Sequence, residues 1–88
     1  MRASAYGPSG NGGWGMQTCT GRRPGHGVVA VDPRFIRLGT RMFIDGYGFA
    51  VAGDTGSAIK GDRIDLGFDS DGEAWNYGRR VIRVMILD

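Results

Sequence analysis

"GDTGSAIKGDRIDLG", residues 53–67, carries one aspartate into a turn and a second onto a strand. From Arg63 onward the apolar positions alternate. Ile64, Leu66 and Phe68 fall on one face, and Arg63, Asp65 and Gly67 on the other. Asp65 is therefore expected on rigid β-backbone, with its carboxylate opposite the core side. Asp54 ends the apolar run "GFAVA" (48–52) and leads into Thr55-Gly56, where a short polar side chain and a glycine favour a turn. Lys60 lies between the two carboxylates.

The same pattern extends in both directions. "GVVAV" (27–31) is a continuous apolar run, as for a strand covered on both faces. "RMFID" (41–45) and "GFAVA" flank "GYG" and predict a glycine-turned hairpin. "RASAY" (2–6) reads as a first strand and "RRVIRVMIL" (79–87) as a long closing one, which makes six with "RIDLGF" (63–68). Two short helices fit between them. Asp32 can cap "DPRFI", with Pro33 at the first helical position. Ser70 and Glu73 have capping-box spacing in "SDGEAWNYG", which Gly78 ends. Residues 7–25 form a glycine-rich polar stretch that is expected to be a mobile loop, with Trp14 as its large apolar side chain.

Length and composition agree with this outline. Eighty-eight residues make one domain, 1–88, and 17 glycines suit a compact all-β chain of many tight turns. Six strands with two short helices predict a small β-barrel, because closure removes exposed strand edges. A net charge of +2 with interspersed signs, and the pairs Arg22-Arg23 and Arg79-Arg80 without a basic stripe, argue for solvated surface and no nucleic-acid partner. Cys19 is the single cysteine and His26 the single histidine, so neither an internal disulfide nor a histidine–cysteine zinc set can form. No close run of oxygen ligands points to calcium or magnesium, and no cofactor is expected. Neither a signal peptide nor a membrane span is read in these residues, so membrane contact by the domain is not expected.

Two families share local features with this chain. Asp54-Thr55-Gly56-Ser57 resembles the catalytic turn of homodimeric aspartic proteases, in which carboxylates from two chains share a proton. That scheme needs a late hydrophobic-hydrophobic-glycine element, where this chain has "MILD", and a flap hairpin where it has "GDRIDLGFDSDGE". It gives no role to Lys60 or Asp65. The larger resemblance uses Asp32, Asp54 and Asp65 together, spaced by 22 and then 11 residues. "VAVDPRFIRLGT", "GYGFAVAGDTGSAIKG", "RIDLGF" and "EAWNYGRRVIRVMIL" strongly resemble, in order, the three-aspartate (3D) domain of bacterial cell-wall proteins, such as stationary-phase survival proteins and membrane-bound lytic transglycosylase A. The resemblance covers about residues 26–87. Arg37 stands where the family usually has proline, and Ser57 where it usually has glycine.

This resemblance implies a six-stranded double-psi β-barrel acting on peptidoglycan glycan strands in the bacterial cell envelope, or secreted. It makes Asp65 the acid/base and gives Asp54 and Asp32 supporting positions. Tyr6, Thr55, Gly56 and Lys60 are the substrate-binding candidates, and Trp14, Tyr47 and Tyr77 could also stack on sugars. A glycosidic oxygen leaves only when protonated, so the acid must stay neutral near neutral pH. Holding Asp65 half-protonated at pH 6 takes a shift of about two units, near 2.8 kcal/mol. Partial burial and a charged Asp54 nearby are expected to raise it, and Lys60 to sit nearer Asp54 or a substrate oxygen than Asp65. A non-catalytic glycan-binding module is the alternative, since one fold hosts both. Nothing in the sequence sets monomer against dimer.

Overall fold

A computed structural model describes residues 1–8, 21, 23 and 25–87. Seven strands form one curled mixed sheet: β1 (Arg2–Tyr6), β2 (Val28–Val31), β3 (Arg41–Ile44), β4 (Gly48–Asp54), β5 (Arg63–Gly67), β6 (Arg80–Val81) and β7 (Val84–Ile86). A single helix, α1 (Asp71–Tyr77), lies between β5 and β6. The spatial order is β6-β1-β5-β2-β4-β3-β7. β1 runs parallel to β5 and β2 parallel to β4; the other neighbours are antiparallel.

Alternation places the core. Val29 and Val31, Met42 and Ile44, and Ile64 and Leu66 all bury their side chains completely on the inner face. Full burial of each is worth about 1.5–3 kcal/mol. Ala3, Ala50 and Ala52 fill the narrower gaps between them.

Five of the six expected strands appear within a residue or two of their expected ends. The sixth divides. Residues 79–87 supply β6, which pairs with β1, and β7, which pairs with β3 at the opposite edge of the sheet. The division falls where other backbone groups capture the chain. Ile82 N–H donates to Met1 O (2.8 Å) and the Met1 ammonium to Ile82 O (2.7 Å), while Asp45 N–H donates to Arg83 O (3.1 Å). One bent segment therefore covers both edges. This gives seven strands where the sequence pattern predicts six.

One of the two expected helices forms. In α1, Ser70 Oγ accepts from Glu73 N–H (3.1 Å), and Gly78 closes the helix at φ 69°. At "DPRFI" there is only a turn, with Phe35 and Ile36 N–H donating to Asp32 O. Further winding stops because the next residues are drawn onto β4. Gly39 N–H donates to Ala52 O (2.8 Å) and Ala52 N–H to Thr40 O (2.9 Å). The loop expected at 7–25, with Trp14, lies outside the described residues except at 7, 8, 21, 23 and 25.

Candidate active site

Strand register brings two of the three aspartates together. Asp65 pairs with Ser4 of β1 on one side and with Ala30 of β2 on the other. Ala30 in turn pairs with Asp54 at the end of β4. Val29 pairs with Ala52, so a regular ladder would set Ala30 against Gly53, but the register slips between Val29 and Ala30. A one-residue slip turns a side chain to the opposite face. The slip therefore turns Asp54 to the side of the sheet that carries Asp65. The rung Ser4–Asp65–Ala30–Asp54 holds the two carboxylate-bearing residues two strand spacings apart, about 10 Å between Cα atoms.

Asp65 lies in a groove of about 740 Å³ between the β1–β5 pair and α1. Ser4, Tyr6, Arg63, Trp75 and Arg79 share its lining with Asp65, and Ala58 and Ile59 contribute from the loop at 55–62. Ser4 Oγ donates to Asp65 Oδ1 at 2.9 Å. Burial pushes the Asp65 carboxyl above the ordinary aspartate value, while the Ser4 hydrogen bond and the charges of Arg63 and Arg79 pull it back. Asp54 is not among the influences on Asp65, and neither is Lys60. Asp54 acts on Tyr6 instead. The Tyr6 phenol is raised first by burial, then by Asp54 and Asp65. It donates to Val28 O at 3.2 Å.

Asp32 has a different position. It is buried; Oδ2 accepts from Gly61 N–H (2.9 Å) and Oδ1 from Arg34 N–H (3.1 Å). The two backbone hydrogen bonds, Gly61 first, hold its carboxyl below the usual aspartate value. It ties the exit of β2 to the loop that delivers Ile59 to the groove wall, and it is not itself part of the groove lining.

A family model described as the 3D domain matches residues 27–88. The chain belongs to the 3D domain family. Among curated relatives, the putative cell wall shaping protein YabE of Bacillus subtilis (strain 168) is 45% identical over 65 residues, covering 74% of this chain and 16% of that protein. The cell wall-binding protein YocH of the same organism is 41% identical over 92 residues, covering all of this chain and 32% of that protein. The SPbeta prophage-derived uncharacterized protein YorM, also from Bacillus subtilis (strain 168), is 43% identical over 63 residues, 68% of this chain and 26% of that protein. This 3D domain thus spans a third or less of the length of each of these relatives.

The remaining candidates of the 3D domain divide as follows. Thr55, Gly56 and Lys60 sit on the loop at 55–62, beside the groove and outside its lining. Asp54 Oδ1 accepts from Thr55 N–H at 2.9 Å, a local turn bond. Tyr47 is buried, its hydroxyl accepting from Gly27 N–H (2.6 Å) and donating to Gly67 O, so it offers no sugar platform. The Tyr77 ring packs on Phe68, with the Arg80 guanidinium 4.0 Å from its centroid. His26 stacks on Tyr47 with ring centroids 4.1 Å apart.

Besides the buried Tyr6, the aromatic that faces the groove is Trp75, 86% exposed on α1. A signal for it existed, because Ala74 and Tyr77 turn inward from α1 and leave Trp75 on the outer face. Ser4 was missed because the parallel β1–β5 register is a long-range fact. Among the described residues, no three carboxylate, histidine or cysteine side chains gather as a metal site.

Proposed function

We propose that this 3D domain is a lytic transglycosylase of the bacterial cell wall, cleaving the MurNAc–GlcNAc bond of peptidoglycan with Asp65 as the only acid/base. The observation that carries this reading is the placement of Asp65. It is an aspartate on rigid strand backbone, inside the groove, shifted toward its neutral form by burial, and without an ion pair to a described residue. A protonated Asp65 donates to the bridging oxygen as the C1–O4 bond breaks, and GlcNAc leaves with that proton. The resulting carboxylate then takes the proton of the C6 hydroxyl as O6 closes on C1. The product is a 1,6-anhydromuramyl end, Asp65 is protonated again, and no water is consumed.

The other groups serve that step. The Ser4 hydroxyl fixes the carboxylate rotamer. The Asp54 charge, one strand beyond Ala30, stabilises positive character at C1 through space. The exposed Trp75 ring offers a face on which a pyranose can stack. The two parallel pairs, β1–β5 and β2–β4, meeting at the antiparallel β2–β5 seam, support the double-psi description of the barrel. The protease reading loses support, because the segment that would have to be its flap supplies β5, which is paired on both sides.

A second reading has its own observation. The relative matched over the whole of this chain is named as a cell wall-binding protein, and the same groove could hold glycan without turning it over. Mass spectrometry of a sacculus digest separates the two. Anhydromuropeptides should appear with the intact domain and be lost with Asp65→Asn; retention on sacculi with no such product would favour binding alone.

A further inference from the structure

The pair Arg79-Arg80, which the sequence pattern assigns to solvated surface, lies in a concavity. A second groove of about 360 Å³ adjoins the first, and Arg2, Arg63, Arg79 and Arg80 line it. Arg63 and Arg79 line both grooves, so the two are continuous at these side chains. Register explains the crowding. Arg2 of β1 lies directly opposite Arg63 of β5, two rungs below Ser4–Asp65 and on the same face. Like charges opposed across a ladder are destabilising.

The surroundings relieve only part of that repulsion. Arg2 is paired with Asp62 at 2.7 Å. Arg80 lies over the Tyr77 ring and donates to Tyr77 O at 2.8 Å. Arg63 and Arg79 form no ion pair with a described residue, and their charges bear on Asp65 instead. The acids that share the larger groove with them are Asp65, on which both charges act, and Asp71, while Asp62 is already paired with Arg2.

We infer that Arg63 and Arg79 form an anion subsite that binds the carboxylates of the peptide carried by the muramyl sugar, so that the domain selects peptide-bearing glycan over bare glycan. The inference rests on the peptidoglycan reading above and deepens it. Guanidinium groups match carboxylates with paired N–H donors in one plane. Two residues of strand separate Arg63 from Asp65, roughly 6.6 Å along β5. A muramyl residue with its C1 at Asp65 carries its lactyl-peptide on C3 of the same ring. The peptide can therefore leave the larger groove into the smaller one while the bond to be cleaved stays beside the acid.

The test measures binding by the inactive Asp65→Asn domain to glycan strands with intact peptides and to the same strands stripped by an amidase, with the lactyl carboxylate that this exposes capped as an amide. Peptide-bearing strands should bind about tenfold more tightly, the worth of one good charged hydrogen bond. Arg63→Gln with Arg79→Gln should bring the ratio to about one, while Arg63→Lys with Arg79→Lys, which keeps the charge, should retain part of it. Circular dichroism on each variant verifies the fold. Equal affinity of the Asp65→Asn domain for both glycans, with the intact domain still releasing anhydromuropeptides, would overturn the inference alone. Binding to neither glycan would overturn the peptidoglycan reading and the inference with it.

Discussion

At the scale of single residues, the domain combines one carboxyl in the groove shifted toward neutrality with another outside it held ionised. Asp65 is raised by burial, so the folded state holds its proton more tightly than the unfolded chain does. The stability from that preference is complete below the unfolded value and is lost as pH rises through the folded one. Asp65→Asn should therefore raise Tm at pH 7 while reducing turnover by about 10²-fold or more. The gain in Tm should shrink as pH falls through the raised folded value and be gone below about 3.9, where aspartate is protonated even in the unfolded chain. Asp32 has the opposite sign. Its depressed carboxyl contributes stability above the unfolded value, lost as pH falls through the folded one. Ser4→Ala removes a hydrogen bond to the ionised form of Asp65. The limb of the activity profile on which turnover falls with rising pH should move to higher pH, and Ser4→Thr should restore it. An unmoved limb in Ser4→Ala would separate Ser4 from the acid.

Elements decide which of these residues meet. Asp65 was legible on its strand because "RIDLGF" alternates cleanly, and the α1 cap was legible because Ser70 and Glu73 have the spacing of reciprocal hydrogen bonds. The slip beside Ala30 was not legible, since Val29, Ala30 and Val31 give no local reason for a ladder to skip a residue. The break at Ile82–Arg83 was equally hidden. Apolar residues continue on both sides of it, and the partners that bend it are Met1 and Asp45, far away in sequence. The placement of α1 depends on Gly7, where an added Cβ would come within 2.7 Å of the Asp71 Cα. With the helix held there, Trp75→Ala should weaken glycan binding about two- to tenfold, the worth of one aromatic face. Titration with soluble glycan fragments measures this, and Tm should change little because the ring is exposed. Ser70→Ala should cost about 1 kcal/mol through loss of the cap, read as a shift in denaturant midpoint.

For the whole molecule, the covered edges matter most. β6 lies against β1 and β7 against β3, the first and last of the other five strands in spatial order. A chain ending at Gly78 should lose both pairings and melt without a sharp transition by circular dichroism, although five strands and α1 remain in its sequence. A cooperative transition in that truncated form would show that the sheet does not need its closing segment. The fully buried side chains of β2, β3 and β5 depend on the same closure, since the curl that brings them together is held at both rims.

The clasp between Met1 and Ile82 spans 81 positions of the chain. Contacts of such long range form late and slow the search for the native state. During synthesis, a nascent polypeptide with residues 79–87 still inside the ribosome lacks the latch and exposes two adhesive borders at once. The sheet becomes safe from sticking to its neighbours only when that stretch is free.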